Sequence, residues 1–154
     1  MSSYINFYLR VEDKYCPLWD YSRNSSEYYF FKNSVPYGEI KPITLESLKG
    51  IREDIDFAIK NVEEHIADNY VKIDVIKTFN NSVEDKIEQI NSYLEFIEEE
   101  KETLKDYTDC INFVYRLIDM LSSVEYIPYA KKHSITKDNY LWVGIDTGLD
   151  EDIE

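Results

Sequence analysis

Two seven-residue apolar repeats, running through residues 44–122, constrain this chain more than any other feature. In the first long segment one register reads Leu45, Arg52, Ile59, Ile66, Ile73. A second register, three residues on, reads Leu48, Ile55, Val62, Asn69, Ile76. Eight of these ten positions are apolar, and an apolar stripe of period 3.5 belongs to helices that wrap on one another. Thr44 is placed to cap this helix, with Glu46 in its first turn. Asn80-Asn81-Ser82 interrupts the pattern, and Ser82 followed by Asp85 resembles a capping box that starts a second helix. The second helix carries Val83, Ile90, Ile97, Leu104, Ile111 and Ile118 at strict sevens. Its companion register is poorer: Ile87, Leu94, Lys101, Thr108, Tyr115, Ser122. Two such helices joined by a tight turn predict an antiparallel helical hairpin, about 44–79 and 83–122. A turn centred near residue 81 sets Val62 against Lys101 and Ile55 against Thr108. Gly50 and Asp68-Asn69-Tyr70 are places where the first helix can kink, and Gly50 is also a place where it can begin.

The flanks alternate instead. Ile5, Phe7, Leu9 and Val11 fall on one side of an extended segment, and Tyr4, Asn6, Tyr8 and Arg10 on the other. Leu141, Val143 and Ile145 oppose Tyr140, Trp142 and Gly144 in the same way. Residues 16–24 read as irregular, Glu27 to Phe31 as a short helix capped by Ser25 or Ser26 or as a strand, and Pro36-Tyr37-Gly38 as a turn. Strands from both ends can share one sheet, with a third strand drawn from residues 27–37 or 123–137. The predicted class is α+β in a single domain, residues 1–154. A small β-containing head (strands near residues 4–11 and 140–146) is drawn from residues 1–43 and 123–154, and the hairpin from 44–122. The segment from Asp146 onward reads as an acidic, frayed tail.

Composition narrows the function classes. The chain has 31 acidic and 17 basic residues, net charge −14, which argues against direct binding of DNA or RNA. The excess is concentrated in residues 44–121, which hold 19 acidic and nine basic residues. Hydrophobic content of 44% and aromatic content of 15% exclude global disorder. No window approaches the roughly 20 apolar residues of a membrane span, and the first ten residues lack the basic and apolar regions of a signal peptide. The expected location is therefore the cytoplasm, with no membrane partner. Cys16 and Cys110 would there be reduced thiols.

Signals for chemistry are sparse. His65 lies beside Glu64 with Asp68 three residues on, but no HExxH spacing or third ligand accompanies them. His133, after Lys131-Lys132, reads as surface. Cys16 and Cys110 have no CxxC spacing, and four isolated glycines form no phosphate-binding loop. Asp146, Asp150 and Asp152 lack the order of a calcium loop. The expectation is a non-enzymatic protein with no catalytic residues, no cofactor and no metal.

Two surfaces remain as candidates. Glu95, Glu98, Glu99, Glu102 and Asp106 fall on one helix face at the spacing of neighbouring turns. They form either a solvated outer face or a mimic of nucleic-acid phosphates, as in anti-CRISPR and anti-restriction inhibitors. Tyr4, Tyr8, Tyr140 and Trp142 all lie opposite the aliphatic sides of their strands, so adjacent strands would gather four rings into one patch suited to a protein partner. Phe57, Phe96, Phe113 and Val114 lie off the heptad seam and give the helices a second apolar side, for the head or another subunit. The expected function is protein–protein interaction through the hairpin and the aromatic patch, with a dimer through the helices.

Tyr4-Ile-Asn6, Ser22-Arg-Asn-Ser-Ser-Glu27, Pro36-Tyr-Gly38, Lys41-Pro-Ile-Thr44, the hairpin and Val143-Gly-Ile145 occur in an order that resembles small proteins of phages and prophages of A/T-rich bacteria. That resemblance implies an accessory role for a virus or mobile element, in the cytoplasm of a bacterial host cell or on the virion, and carries no functional residue with it.

Overall fold

The computed structural model describes residues 4–80 and 82–147. The alternating N-terminal segment forms β1 (Tyr4–Val11), which turns back at once into β2 (Lys14–Ser22). Then follow α1 (Ser26–Phe31), β3 (Ile40–Pro42), α2 (Leu45–Lys77), α3 (Val83–Ser123), α4 (Pro128–Lys132) and β4 (Leu141–Ile145). The fold is α+β, a four-stranded antiparallel sheet with a long helical hairpin. Strand order is β2-β1-β4-β3, so the two strands legible at the chain ends are neighbours in the middle of the sheet.

The outer strands do not come from residues 27–37 or 123–137. They come from 14–22, which overlaps the stretch 16–24 expected to be irregular, and from 40–42. The reason is local. Phe7 pairs with Trp19 but Tyr8 pairs with Pro17, leaving Leu18 as the extra residue of a β-bulge. The bulge breaks the period of two, and Pro17 is tolerated because β2 is an edge strand. Over Glu27 to Phe31 the helix is the form taken, with the amide of Tyr28 donating to Ser25 Oγ at 3.1 Å.

Both long helices begin at hydroxyl caps. The Ser47 amide donates to Thr44 Oγ1 and the Thr44 amide to Ser47 Oγ, each at 3.2 Å. That is a reciprocal capping box with Ser in the place of the usual Glu. The Asp85 amide donates to Ser82 Oγ at 3.2 Å. The helix α2 runs unbroken through Gly50 and Asn69.

The chain divides into two compact units, Met1–Asp54 with Cys110–Glu154, and Ile55–Asp109. The sheet unit therefore includes the beginning of α2 and the end of α3. Its core lies on one side of the sheet, where Ile5, Phe7, Leu141, Val143 and Ile145 are buried with Leu48, Val114, Leu117 and Leu121. Rings organise this core. Phe113 of α3 meets Phe7, Tyr21 and Trp19 edge-on, at centroid distances of 5.1, 5.1 and 5.3 Å.

On the opposite side, residues 146 and 147 close over the sheet. Thr147 Oγ1 lies 2.5 Å from the Tyr8 hydroxyl, and Asp146 Oδ1 accepts from the Tyr4 amide at 2.8 Å. Asp146 and Thr147 are thus anchored, and the rest of the expected frayed tail lies outside the described residues. This closure explains Gly144, where a Cβ would overlap the Thr147 side chain and come within 2.8 Å of the Glu39 carbonyl oxygen. At Gly50 an added Cβ would meet nothing within 4 Å. Gly50→Ala is expected to raise stability by about 1 kcal/mol and Gly144→Ala to lower it by about 1–3 kcal/mol, both read from urea unfolding midpoints.

Candidate functional site

The unit Ile55–Asp109 is built on a seam with polar chemistry inside it. On α2 the seam follows the expected registers: Ile55, Asn69, Ile73 and Ile76 are buried, with Ile59, Val62 and Ile66 half-buried. On α3 one register follows the expectation from Ile90 onward, with Ile97 buried and Ile90 and Leu104 half-buried, whereas its first member, Val83, is exposed.

The companion register of α3 is displaced by one residue. Ile87, Leu94, Lys101 and Thr108 are exposed, as are Tyr115 and Ser122 in the sheet unit. The positions facing inward are Lys86, Tyr93, Glu100 and Tyr107, continued by buried Val114 and Leu121. A helix flanks each seam position with neighbours at both +3 and +4, and α3 turns its +3 flank inward. Lys101 and Thr108 therefore lie beside the seam and do not face Val62 and Ile55. The Lys101 ammonium stands 5.9 Å from the Tyr70 ring and 3.6 Å from Glu98.

Glu100 is thus drawn out of the acidic run. Its Oε1 accepts from Asn69 Nδ2 at 2.8 Å, and its Oε2 lies 3.5 Å from His65 Nδ1. The sequence spacing that links His65 to Glu64 and Asp68 does not describe its surroundings; the partner comes from the facing helix.

Large apolar side chains stand in solvent along this unit. Phe57, Val71 and Val75 of α2, Phe79 just after it, and Val83, Ile87, Leu94 and Phe96 of α3 are exposed, Ile87 and Leu94 because the other flank of α3 faces inward. Beside the seam, Val71, Val75, Ile76 and Phe79 line a groove of about 560 Å³ with Tyr93 and Lys72. The Lys72 ammonium lies 5.8 Å from the Tyr93 ring. Gln89 and Ser92 complete the lining, and none of its eight residues is a carboxylate, in a chain that holds 31. Of the residues expected to form an apolar second side, Phe57 and Phe96 are exposed here, whereas Phe113 and Val114 are buried in the sheet unit.

The other two candidate surfaces are placed as follows. Glu95, Glu98, Glu99, Glu102 and Asp106 are all exposed on α3. Their negative charge is interrupted by Lys101, paired with Glu98, and by Lys105, 3.6 Å from Asp109. Of the four rings expected to cluster, Tyr8 and Trp142 are directly opposed across β1 and β4. Tyr15 of β2 joins them, 5.1 Å from Trp142 and 6.3 Å from Tyr8, and the Arg10 guanidinium lies 5.8 Å from the Trp142 ring. Tyr15 was hidden because its strand was. Tyr8 is buried beneath Thr147, Tyr4 is exposed, and Tyr140 packs on Val124, Ala130 and Ile135.

The thiol of Cys110 is fully buried, and burial, followed by the Glu27 carboxylate beside it, pushes its pKa well above the usual thiol range. A thiol held protonated in the fold titrates first in the unfolded chain. Its contribution to stability is complete below about pH 9 and is lost as the pH rises further, by about 1.4 kcal/mol per unit. Cys110→Ala is expected to flatten that alkaline slope, measured by urea unfolding between about pH 8 and 10.

No protein-family model matches this chain, and neither curated proteins nor solved structures yield a match. Among the described residues no helix is long and apolar enough to cross a membrane.

Proposed function

We propose that this chain is a non-enzymatic protein–protein interaction module, an accessory protein of a phage or mobile element that works in the host cytoplasm or on the virion. It acts through the Ile55–Asp109 hairpin. The observation that carries this reading is the row of exposed apolar side chains, Val71, Val75 and Phe79, along a carboxylate-free groove. Large apolar side chains gathered in solvent on a highly charged chain have a cost in solubility, and such patches mark interaction sites. The Tyr8–Tyr15–Trp142 cluster is a second, more enclosed aromatic surface.

The test is capture from host cytoplasm with the intact chain and with Val75→Asp/Phe79→Asp. Both positions are exposed, so helix content is expected to stay unchanged. A partner, or a second copy of the chain, that survives a high-salt wash on the intact chain and is lost on the variant supports the reading. Capture that is the same for both chains counts against it.

The exposed row Glu95, Glu98, Glu99, Glu102 and Asp106 supports a second reading, an acidic mimic of nucleic acid that occupies a basic groove of a nuclease or DNA-binding protein. In that case a basic partner is released by salt, and Glu98→Gln/Glu99→Gln/Glu102→Gln abolishes its capture. The apolar variant would then bind normally.

A further inference from the structure

We propose that the sheet unit carries a small-molecule site, distinct from the hairpin surface, for an apolar chain with an anionic head group. The site is a cavity of about 580 Å³ between the end of α3, the start of α2 and α4. That volume lies within the roughly 300–1,000 Å³ typical of small-ligand sites. Leu121, Val124, Ala130 and Ile135 are its packed apolar floor, and half-buried Leu45 is the apolar side chain that faces into it. Such a lining favours an alkyl chain over a polar ligand.

Charge at the same cavity selects the head group. Lys131 and Lys137 line it, against one carboxylate, Glu125. They belong to a run, residues 126–137, that contains three lysines and no acidic residue in a chain of net charge −14. Among the described residues no carboxylate pairs with Lys131, Lys132 or Lys137, so their ammonium groups are open to a ligand.

The turn that joins lining to charge is fixed in place. After α4 the Ile135 amide donates to the Ala130 carbonyl at 2.8 Å, and the Ser134 amide to the Lys131 carbonyl at 3.4 Å. This is a Schellman closure, which packs Ile135 back against Ala130. Its left-handed position is held by Ser134, φ 55°, where glycine is the usual occupant. Lys131, Ser134 and Ile135 of this closure all line the cavity.

The experiment is an NMR titration of the full chain with decanoate, kept below its micelle-forming concentration, alongside decanol and decyltrimethylammonium. Decanoate is expected to bind in one-to-one ratio, more tightly than either analogue, with amide shifts centred on Leu121–Lys137. Lys131→Glu/Lys137→Glu, at two exposed positions, is expected to weaken it about tenfold, roughly the effect of one charge-assisted contact. Three results would overturn the proposal. These are no saturable binding, binding no tighter than decanol and indifferent to the charge reversal, or shifts centred on Val71–Phe79. The last would place the chain on the hairpin groove and leave the interaction reading untouched. Because Val75→Asp/Phe79→Asp alters only that groove, decanoate should still bind it as it binds the intact chain.

Discussion

Phe113→Ala is expected to destabilise the protein by about 3–5 kcal/mol, the largest effect of any single truncation considered. The ring is almost wholly buried and touches four others. Phe7 comes from the central strand, Trp19 and Tyr21 from the edge strand, and Phe31 from α1. Removing it costs the transfer energy of the ring and leaves a cavity that four rigid neighbours cannot close. Total stability for a domain is about 5–15 kcal/mol, so the variant would be marginally folded at best. Phe96→Ala is the control. It lies on the same helix and removes the same atoms, but from a side chain that is 59% exposed. Its cost should stay within about 0.5 kcal/mol. Urea unfolding of both variants checks the pair. Similar losses at the two positions would contradict the packing of α3 on the sheet.

The second large effect concerns the polar layer of the hairpin. Asn69→Ala strips the amide from a carboxylate whose side chain is only 14% exposed. The loss should be about 1.5–3 kcal/mol, the range for hydrogen bonds to charged groups. Replacing both partners, Asn69→Leu with Glu100→Leu, should reverse the sign. Apolar pairs of similar volume in place of buried polar ones are neutral or stabilising by about 1–4 kcal/mol. A polar residue at a seam position also specifies register. The double variant is therefore expected to be at least as stable as the parent and less selective in how α2 and α3 align. A double-mutant cycle by urea unfolding measures the coupling, and hydrogen exchange over 55–109 reports the alignment. Additive losses would mean that Asn69 and Glu100 do not act as a pair.

Much of this fold was legible in the residues. The helices were readable because apolar spacing is a local property repeated many times, and Thr44 and Ser82 are punctuation of the same local kind. β1 and β4 were readable because each keeps a clean alternation. β2 was not, since Pro17 and the bulge at Leu18 break that alternation, and the edge position that excuses them is a fact of the sheet. With β2 goes Tyr15, a member of the aromatic cluster around Tyr8 and Trp142 that no pattern in the sequence shows. Thr147, in what reads as a frayed tail, covers Tyr8 through one hydroxyl contact that no pattern announces.

The hairpin surface shows the division most sharply. Period 3.5 is enough to say that α2 and α3 pair, because it needs only the spacing of side chains along one helix. It does not say which flank of α3 goes inside. Ile87 and Leu94 favour one flank; Tyr93, Tyr107, Val114 and Leu121, also at sevens, favour the other. Adjacent residues are separated by about 100° around a helix, so one residue of displacement exchanges seam for solvent. In the sheet unit the second series is the buried one, at Val114 and Leu121. In Ile55–Asp109 the same series faces the seam, which takes Glu100 inside and leaves Ile87 and Leu94 in water. Repeated spacing therefore makes the hairpin, and long-range packing selects the surface it presents.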